Sequence, residues 1–466
     1  MSSWPGSNRC GRTQRERHNP CPFLGRAPQQ VEQVGVLRGR WVVGGRQFSS
    51  TRATKALAES LLSELRQAAK RGEAFDTGEG LPVSMRRAKH TKSWLAFVLA
   101  YVDMKWPRAA ATTRNSMTDA LATVTAALVD DRPGRPEVLV LRHALRQYAL
   151  VPSSRTLPRP AEVAAALGWL ERASLPLSEL EKPRTVRLAL DALTLRLDGT
   201  AAAATTIHRK RSVFYNVLGY AAELEELSAN SLDRVNWKPP KVAEVVDRRV
   251  VVNPRQAREL LTAVTYVGRL WRGRHLRAFF ACMYFAALRP AEVKALRKDG
   301  CCLPGSGWGK LTLSRSRPQS NKRWTDSGEA FDDRGLKHRA ENDTRSVPIP
   351  PELVTILREH IEEFGTAPDG RLFRTATGGM ICDTTHTWAV ARTLGLVPEQ
   401  VASPLAARPY DLRHAAVSLW LNGGVAATDV ANRAGHSVEV LLRMYAKCID
   451  GGEEAANRRI DDALAV

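Results

Sequence analysis

Four side chains in the second half of this chain of 466 residues have the types needed to break and re-form a phosphodiester. Arg289 stands in Ala-Leu-Arg-Pro-Ala-Glu-Val, Arg413 in Tyr-Asp-Leu-Arg-His and His436 in Ala-Gly-His-Ser; Tyr445 follows the histidine by nine residues. In-line attack on phosphorus builds negative charge on the non-bridging oxygens, and fixed positive donors stabilise it. An arginine fork can hold two oxygens and stays charged. A tyrosine can supply the attacking oxygen. Its ordinary pKa of about 10 means that it needs help to lose its proton near neutrality. Phosphate-bound arginines and His436 could give that help. Taken singly, each arginine reads as a surface or salt-bridged residue, and a tyrosine on an apolar helix reads as core.

The local sequences around these residues change that reading. Ala287-Leu-Arg-Pro-Ala-Glu resembles a box that is normally Gly-Leu-Arg-x-x-Glu, and Tyr410-Asp-Leu-Arg-His resembles one that normally opens with histidine. Together with the late histidine and tyrosine, the chain resembles the tyrosine recombinases, the phage integrase family of site-specific recombinases, over roughly residues 200 to 450. The resemblance implies attack by Tyr445, a 3′-phosphotyrosyl intermediate and a free 5′-hydroxyl. The bond energy is conserved in that intermediate, so no cofactor, metal or nucleotide is implied. Arg289 and Arg413 would bind the phosphate. A lysine would protonate the leaving oxygen; Lys337 is the choice, before Thr344-Arg345-Ser346-Val347-Pro348, with Lys310 and Lys322 as competitors in a long, charged hairpin. Tyr410 replaces the usual histidine and could donate a hydrogen bond to the phosphate, although a neutral phenol accepts protons poorly. His414 is expected to support the site from behind or to lie in the core. The implied partners are double-stranded DNA with paired inverted core sites, a synaptic homotetramer and an excision factor. The rival readings are a DNA-binding protein that kept the fold and lost the chemistry, and a type IB topoisomerase-like strand transferase.

Composition agrees with a nucleic-acid partner. Lys plus Arg number 69 against 48 acids, a net charge of +21, and such an excess favours a polyanion. A basic membrane-surface protein is disfavoured, since there is no long uncharged apolar run or lipidation signal. The seven cysteines are odd in number and scattered, which points to a reducing cytoplasm and not to a disulfide framework. Cys10, His18 and Cys21 lack a fourth ligand and fit no common zinc finger. The N-terminus has no apolar stretch of a secretory signal. Gly305 to Lys310 is glycine-rich but lacks the Lys-Ser/Thr ending of a phosphate-binding loop.

The elements that must position these residues fall into a mainly helical, multidomain α+β chain with small β-sheets. Residues 1–30 read as a disordered basic tail. Residues 31–75 read as a β-hairpin around Gly44-Gly45 and a helix with Leu57, Leu61 and Leu65 on one face, similar to an arm-type DNA-binding domain; a purely structural hairpin is the alternative. A Gly-rich linker spans 73–82. Residues 84–240 read as a helical core-binding domain, longer than the family's usual one, with Trp94, Phe97, Val98 and Tyr101 on one face. Within it, Thr206, His208, Arg209, Lys210 and Arg211 open a helix and could meet phosphates; a solvated basic helix end is the bland alternative. Lys238-Pro-Pro-Lys241 begins a stiff linker. Residues 254–450 read as the catalytic domain, with an apolar helix over 276–287, strands near 310–314 and 346–350, and helices over 352–364, 414–421, 428–434 and 438–447. Residues 451–466 form a C-terminal tail or helix.

Overall fold

The computed structural model describes residues 24–25, 37–52, 54–85, 92–242, 245–269, 271–337, 339–340, 342–375, 377–382, 384–448 and 453–465. The basic tail, apart from Leu24 and Gly25, and the Cys10/His18/Cys21 group lie outside them.

At the N-terminal end, β1 (Leu24–Gly25), β2 (Leu37–Val43) and β3 (Arg46–Arg52) form an antiparallel sheet in that order. The β2–β3 turn needs two left-handed residues, and Gly44 and Gly45 supply them with φ of 56° and 77°. Trp41 and Val43 from the hairpin pack with Leu62 and Leu65 of the Lys55–Lys70 helix. The buried face of that helix is Ala58, Leu62, Leu65 and Ala68, while Leu57 is 54% exposed. Of the expected stripe, Leu65 is buried and Leu61 packs against the cluster, while Leu57 is corrected to the exposed side and Ala58 and Leu62 take its place. Both stripes satisfy helical spacing, and the position of Trp41 decides between them. The stretch expected to be a free linker instead folds back: Phe75 bridges Pro82, and the Trp41 indole donates to the Gly80 carbonyl at 2.5 Å. Gly80 is obligatory there, since a Cβ would lie 2.2 Å from the Phe48 ring.

The second cluster is helical. Trp94–Lys105, Ala111–Ala127, Val138–Ala144, Ala161–Ala173, Pro183–Thr194 and Ala204–Glu223 surround a core containing Trp94, Phe97, Val98, Tyr101, Leu121 and Phe214. Ser93 caps the first helix through the Ala96 N–H, and the buried Trp94 indole finds Thr125 Oγ1 at 3.0 Å.

The third part begins at the Pro254–Thr265 helix, whose Asn253 and Gln256 form a reciprocal capping box. The Arg272–Phe285 helix runs through the centre and is buried almost all round. It ends before Ala287, which had been expected to be helical. Ala287 has φ of 50°, and a left-handed residue cannot continue a helix. β4 (Cys301–Cys302), β5 (Gly309–Leu313) and β6 (Arg345–Ile349) make an antiparallel sheet in which Leu311 faces Val347. Helices Pro351–Phe364, Thr385–Gly395, Asp411–Asn422, Ala427–Ala434 and Val438–Tyr445 follow. Gly424, at φ of 76°, breaks the chain away after Asn422. A last helix spans Glu453–Leu464.

Among the described residues, two connections join the helical and C-terminal parts. One is the proline-bearing stretch after Trp237, whose Val246 N–H donates to the Met444 carbonyl at 2.8 Å. The other is the long β5–β6 connection, which reaches back to the helices. Arg114, 2% exposed, donates to the Trp324 carbonyl at 2.8 Å and forks onto Asp326 at 2.7 and 3.1 Å. The Ala111 N–H donates to Asp332, and the Arg146 guanidinium lies 5.4 Å from the Trp324 ring centre.

Candidate active site

Arg289 follows the left-handed Ala287 and the buried Leu288, and so starts the short Pro290–Ala295 helix. Pro290 at the first helical position suits this entry. One turn on, Glu292 is 1% exposed and binds two arginines at once. Arg289 Nη1 reaches Glu292 Oε1 at 2.8 Å, and Arg345 from β6 makes a two-pronged contact at 3.0 and 2.7 Å. Burial alone would raise the Glu292 carboxyl; Arg345, then Arg289 and Arg413, hold it down to about 2. The second hand of Arg289 donates to the Gly435 carbonyl at 2.6 Å. Gly435 has φ of 65°, and a Cβ there would fall 2.2 Å from Arg345 and 3.1 Å from Arg289. Glycine is thus required both for its conformation and for the close approach of two guanidinium groups.

Arg413 projects from the first turn of the Asp411–Asn422 helix and is fully buried. It donates to the Ala287 carbonyl, to the Ala434 carbonyl at 2.5 Å and to His436 Nε2 at 2.7 Å. An arginine can only donate, so Nε2 is the accepting nitrogen and the His436 proton resides on Nδ1. Nδ1 is buried and has no partner among the described residues. Burial first, then Arg413, lowers the His436 pKa to about 3, so the ring is neutral and offers one N–H to an incoming acceptor.

Tyr445 ends the Val438–Tyr445 helix, whose start is capped by Ser437. It is fully buried, with its ring centre 6.2 Å from that of His436. Its hydroxyl is 2.8 Å from His414 Nδ1. Burial raises the phenol pKa, and Arg413 opposes this only in part. Tyr410 stands at the start of the Asp411–Asn422 helix, half-buried, its ring centre 5.2 Å from that of His414.

The structure therefore gathers Arg289, Arg413, His436 and Tyr445 with Tyr410 alongside. Lys337 is exposed in the β5–β6 connection, and no described contact ties it to the arginines; Lys310 on β5 and Lys322 are exposed as well. Three contributors were not assigned from sequence: Glu292, Arg345 and the Gly435 backbone. Glu292 and Arg345 sit inside the motif stretches themselves, so proximity in sequence to the candidate arginines was the available signal. Their mutual contact was not.

The basic helix start is more divided than its sequence suggests. Lys210 is buried, 3.0 Å from Thr123 Oγ1 and 3.4 Å from Asp119. His208 meets the Pro240 carbonyl at 2.8 Å, Arg211 lies over Trp237, and Thr206 is half-buried. Arg209 is exposed, with Asp119 at 3.9 Å.

Among the described residues no group of three or more His, Cys, Asp or Glu is arranged to hold a metal, and no helix is long and apolar enough to cross a membrane. No family profile matches the chain, and no curated protein matches it. Its structure is similar to that of a Tn1549 transposon integrase in complex with a circular intermediate DNA, at 12% identity and a TM-score of 0.45 over 66% of this chain and 95% of that one. It is also similar to the XerH site-specific recombinase bound to difH substrate, at 12% identity and 0.42 over 76% and 96%. A third likeness is to a lambda integrase tetramer bound to a Holliday junction, at 12% identity and 0.45 over 88% and 95%. Likenesses this loose assign no activity, substrate or partner to the chain.

Proposed function

We propose that this protein is a site-specific DNA recombinase of the tyrosine class, cleaving and rejoining strands through a 3′-phosphotyrosyl intermediate formed by Tyr445. The observation that carries the reading is the meeting of Arg289, Arg413, His436 and Tyr445 around one buried spot from sequence positions more than 150 apart at the extremes. A structural role for each residue separately gives no reason for two cations and a neutral imidazole donor to converge beside a phenol.

In this reading the scissile phosphate enters on the side of Arg289, Gly435 and His436, which are partly open, since Arg413 and Tyr445 are covered. The phosphate takes the free Nδ1–H of His436, whose Nε2 keeps its hydrogen bond from Arg413. Arg289 and Arg413 then face the charge that grows on the non-bridging oxygens. Tyr410 offers a further hydroxyl. Lys337 is the proton source for the 5′-oxygen only if the β5–β6 connection brings it to the DNA, and Lys310 and Lys322 compete for that role. Residues 92–242 and 254–448 would grip the duplex from two sides as core-binding and catalytic parts, and the N-terminal hairpin unit would bind arm sites. Duplex core sites, a synaptic tetramer and an excision factor are the partners of this reading, and its place of action is the nucleoid in the cytoplasm.

The test is covalent capture. A pool of nicked duplexes with randomised cores is incubated with the protein in EDTA, without nucleotide. The wild type should leave a denaturant-resistant protein–DNA adduct mapping to Tyr445. Tyr445→Phe should bind the same duplexes and give none. The complete burial of Tyr445 is the one observation that favours the silent DNA-binding alternative, and duplex binding by the wild type without any adduct would establish it.

A further inference from the structure

We infer that His414 is the catalytic group that accepts the phenolic proton of Tyr445, and that it carries its own proton on Nε2. The inference rests on the recombinase reading and names a role which that reading leaves unfilled. Tyr410 occupies the position where a histidine is usual, so the candidate constellation has no imidazole there. His436 cannot serve: its Nε2 lone pair is already engaged by Arg413, and its other nitrogen bears the proton. His414 lies one turn along the Asp411–Asn422 helix from Tyr410, on the same face, with the two rings 5.2 Å apart. Its Nδ1 is 2.8 Å from the Tyr445 oxygen and is the side-chain hydrogen-bond partner of that hydroxyl among the described residues.

Burial lowers the His414 pKa to about 4, against the pull of Asp411, so at neutral pH its lone pair is present. The groups facing it are Asp411 and Arg408 at the start of its own helix, Arg413 beside it, and Tyr445 from the last helix. In the free protein the phenol holds its proton firmly, because burial also disfavours the phenolate. Transfer therefore belongs to the chemical step. As the Tyr445 oxygen bonds to phosphorus it loses electron density, its O–H bond breaks to His414 Nδ1, and the P–O5′ bond breaks with its electron pair on the 5′-oxygen. A separate acid protonates that oxygen. His414 leaves the step as an imidazolium and returns the proton to Tyr445 when the strand is rejoined.

The experiment uses the full chain and a nicked duplex selected by covalent capture on the wild type. His414→Asn places an amide oxygen near the Nδ1 position, which accepts a hydrogen bond but not a proton. It should bind the duplex as the wild type does, and its single-turnover cleavage should fall by roughly a hundredfold or more, the usual scale of general-base catalysis. Replacing Tyr445 by a more acidic fluorinated tyrosine should close most of that gap. A 5′-bridging sulfur, whose thiolate leaves without a proton, should not close it. His414→Gln gives the same comparison if the asparagine variant unfolds. Cleavage by His414→Asn within about threefold of wild type overturns the inference and leaves the recombinase reading standing. A gap that the fluorinated tyrosine does not narrow also overturns it, because His414 then acts by packing alone. Absence of any wild-type adduct, or an adduct away from Tyr445, overturns both.

Discussion

Two carboxylates in this molecule each gather several cations, and they do so to different ends. In the helical part, Asp119 lies near Arg142, Arg146, Arg209 and Lys210 and remains 17% exposed. Burial would raise its pKa, but Lys210 and Arg142 hold it low. One negative charge cannot neutralise four positive ones, so the cluster keeps a net positive field at the surface beside an exposed Arg209. In the C-terminal part, Glu292 is wholly enclosed and is matched almost atom for atom by Arg345, which leaves Arg289 tethered but partly open. Loose pairing leaves charge available for a polyanion at long range. Tight pairing spends one arginine to fix the direction of another.

The largest expected effect that separates the two is on chemistry. Arg289→Ala should slow strand cleavage by several orders of magnitude, since it removes a charge aimed at the transition state, while Arg209→Ala should leave the cleavage step alone and reduce the salt dependence of duplex binding. Equal effects of the two on single-turnover rate and on the salt slope would erase the distinction.

Next comes stability. Glu292→Gln strands Arg345 as a buried unpaired charge, and breaking such a pair typically costs about 3–5 kcal/mol. Chemical denaturation should show a fall of that order.

Mild acid, between about pH 7 and pH 5, should act first on the C-terminal part. His275 and His436 are lowered to about 3, and His360 and His414 to about 4, in each case chiefly by burial; all four belong to the C-terminal part. Unfolded histidine titrates near pH 6.5, so below that value the unfolded chain binds more protons than the folded one. Stability must therefore decline as pH falls from about 6.5 towards the folded values, by up to about 1.4 kcal/mol per unit for each group. Glu292, held at about 2, is ionised in both states between pH 7 and pH 5 and adds to the decline only below about pH 4.5, where the unfolded carboxylate takes up a proton and the folded one does not. Unfolding followed at pH 7 and pH 5 with probes on each part should show the C-terminal part weakening first; a joint, unchanged transition would contradict the histidine assignments.

The smallest effect belongs to Asp119. Asp119→Asn should cost roughly 1 kcal/mol, as expected of a partly solvated network, well short of the Glu292 change. If denaturation gives the two the same penalty, enclosure is not what distinguishes them.

Much of the architecture was legible from local sequence. The Gly44-Gly45 hairpin, the helix bearing Trp94, the strands at 309–313 and 345–349 to within a residue, the helix that follows Arg413 and the one that carries Tyr445 follow from turn chemistry and periodicity, which act over a few residues. The residue types at 289, 413, 436 and 445 identified a candidate chemistry for the same reason: each lies in a short, recognisable context. Tertiary packing decided which of two equally periodic faces of the Lys55–Lys70 helix is buried, and it turned Lys210 inward to Asp119. It ended the central helix at Phe285, so that the Ala287 carbonyl could receive Arg413 from 126 residues away. It joined Glu292 to Arg345 across 53 residues and His414 to Tyr445 across 31. Such pairs leave no periodic trace in the chain, because a buried charge or imidazole selects its partner by where the whole core closes and not by its neighbours in sequence.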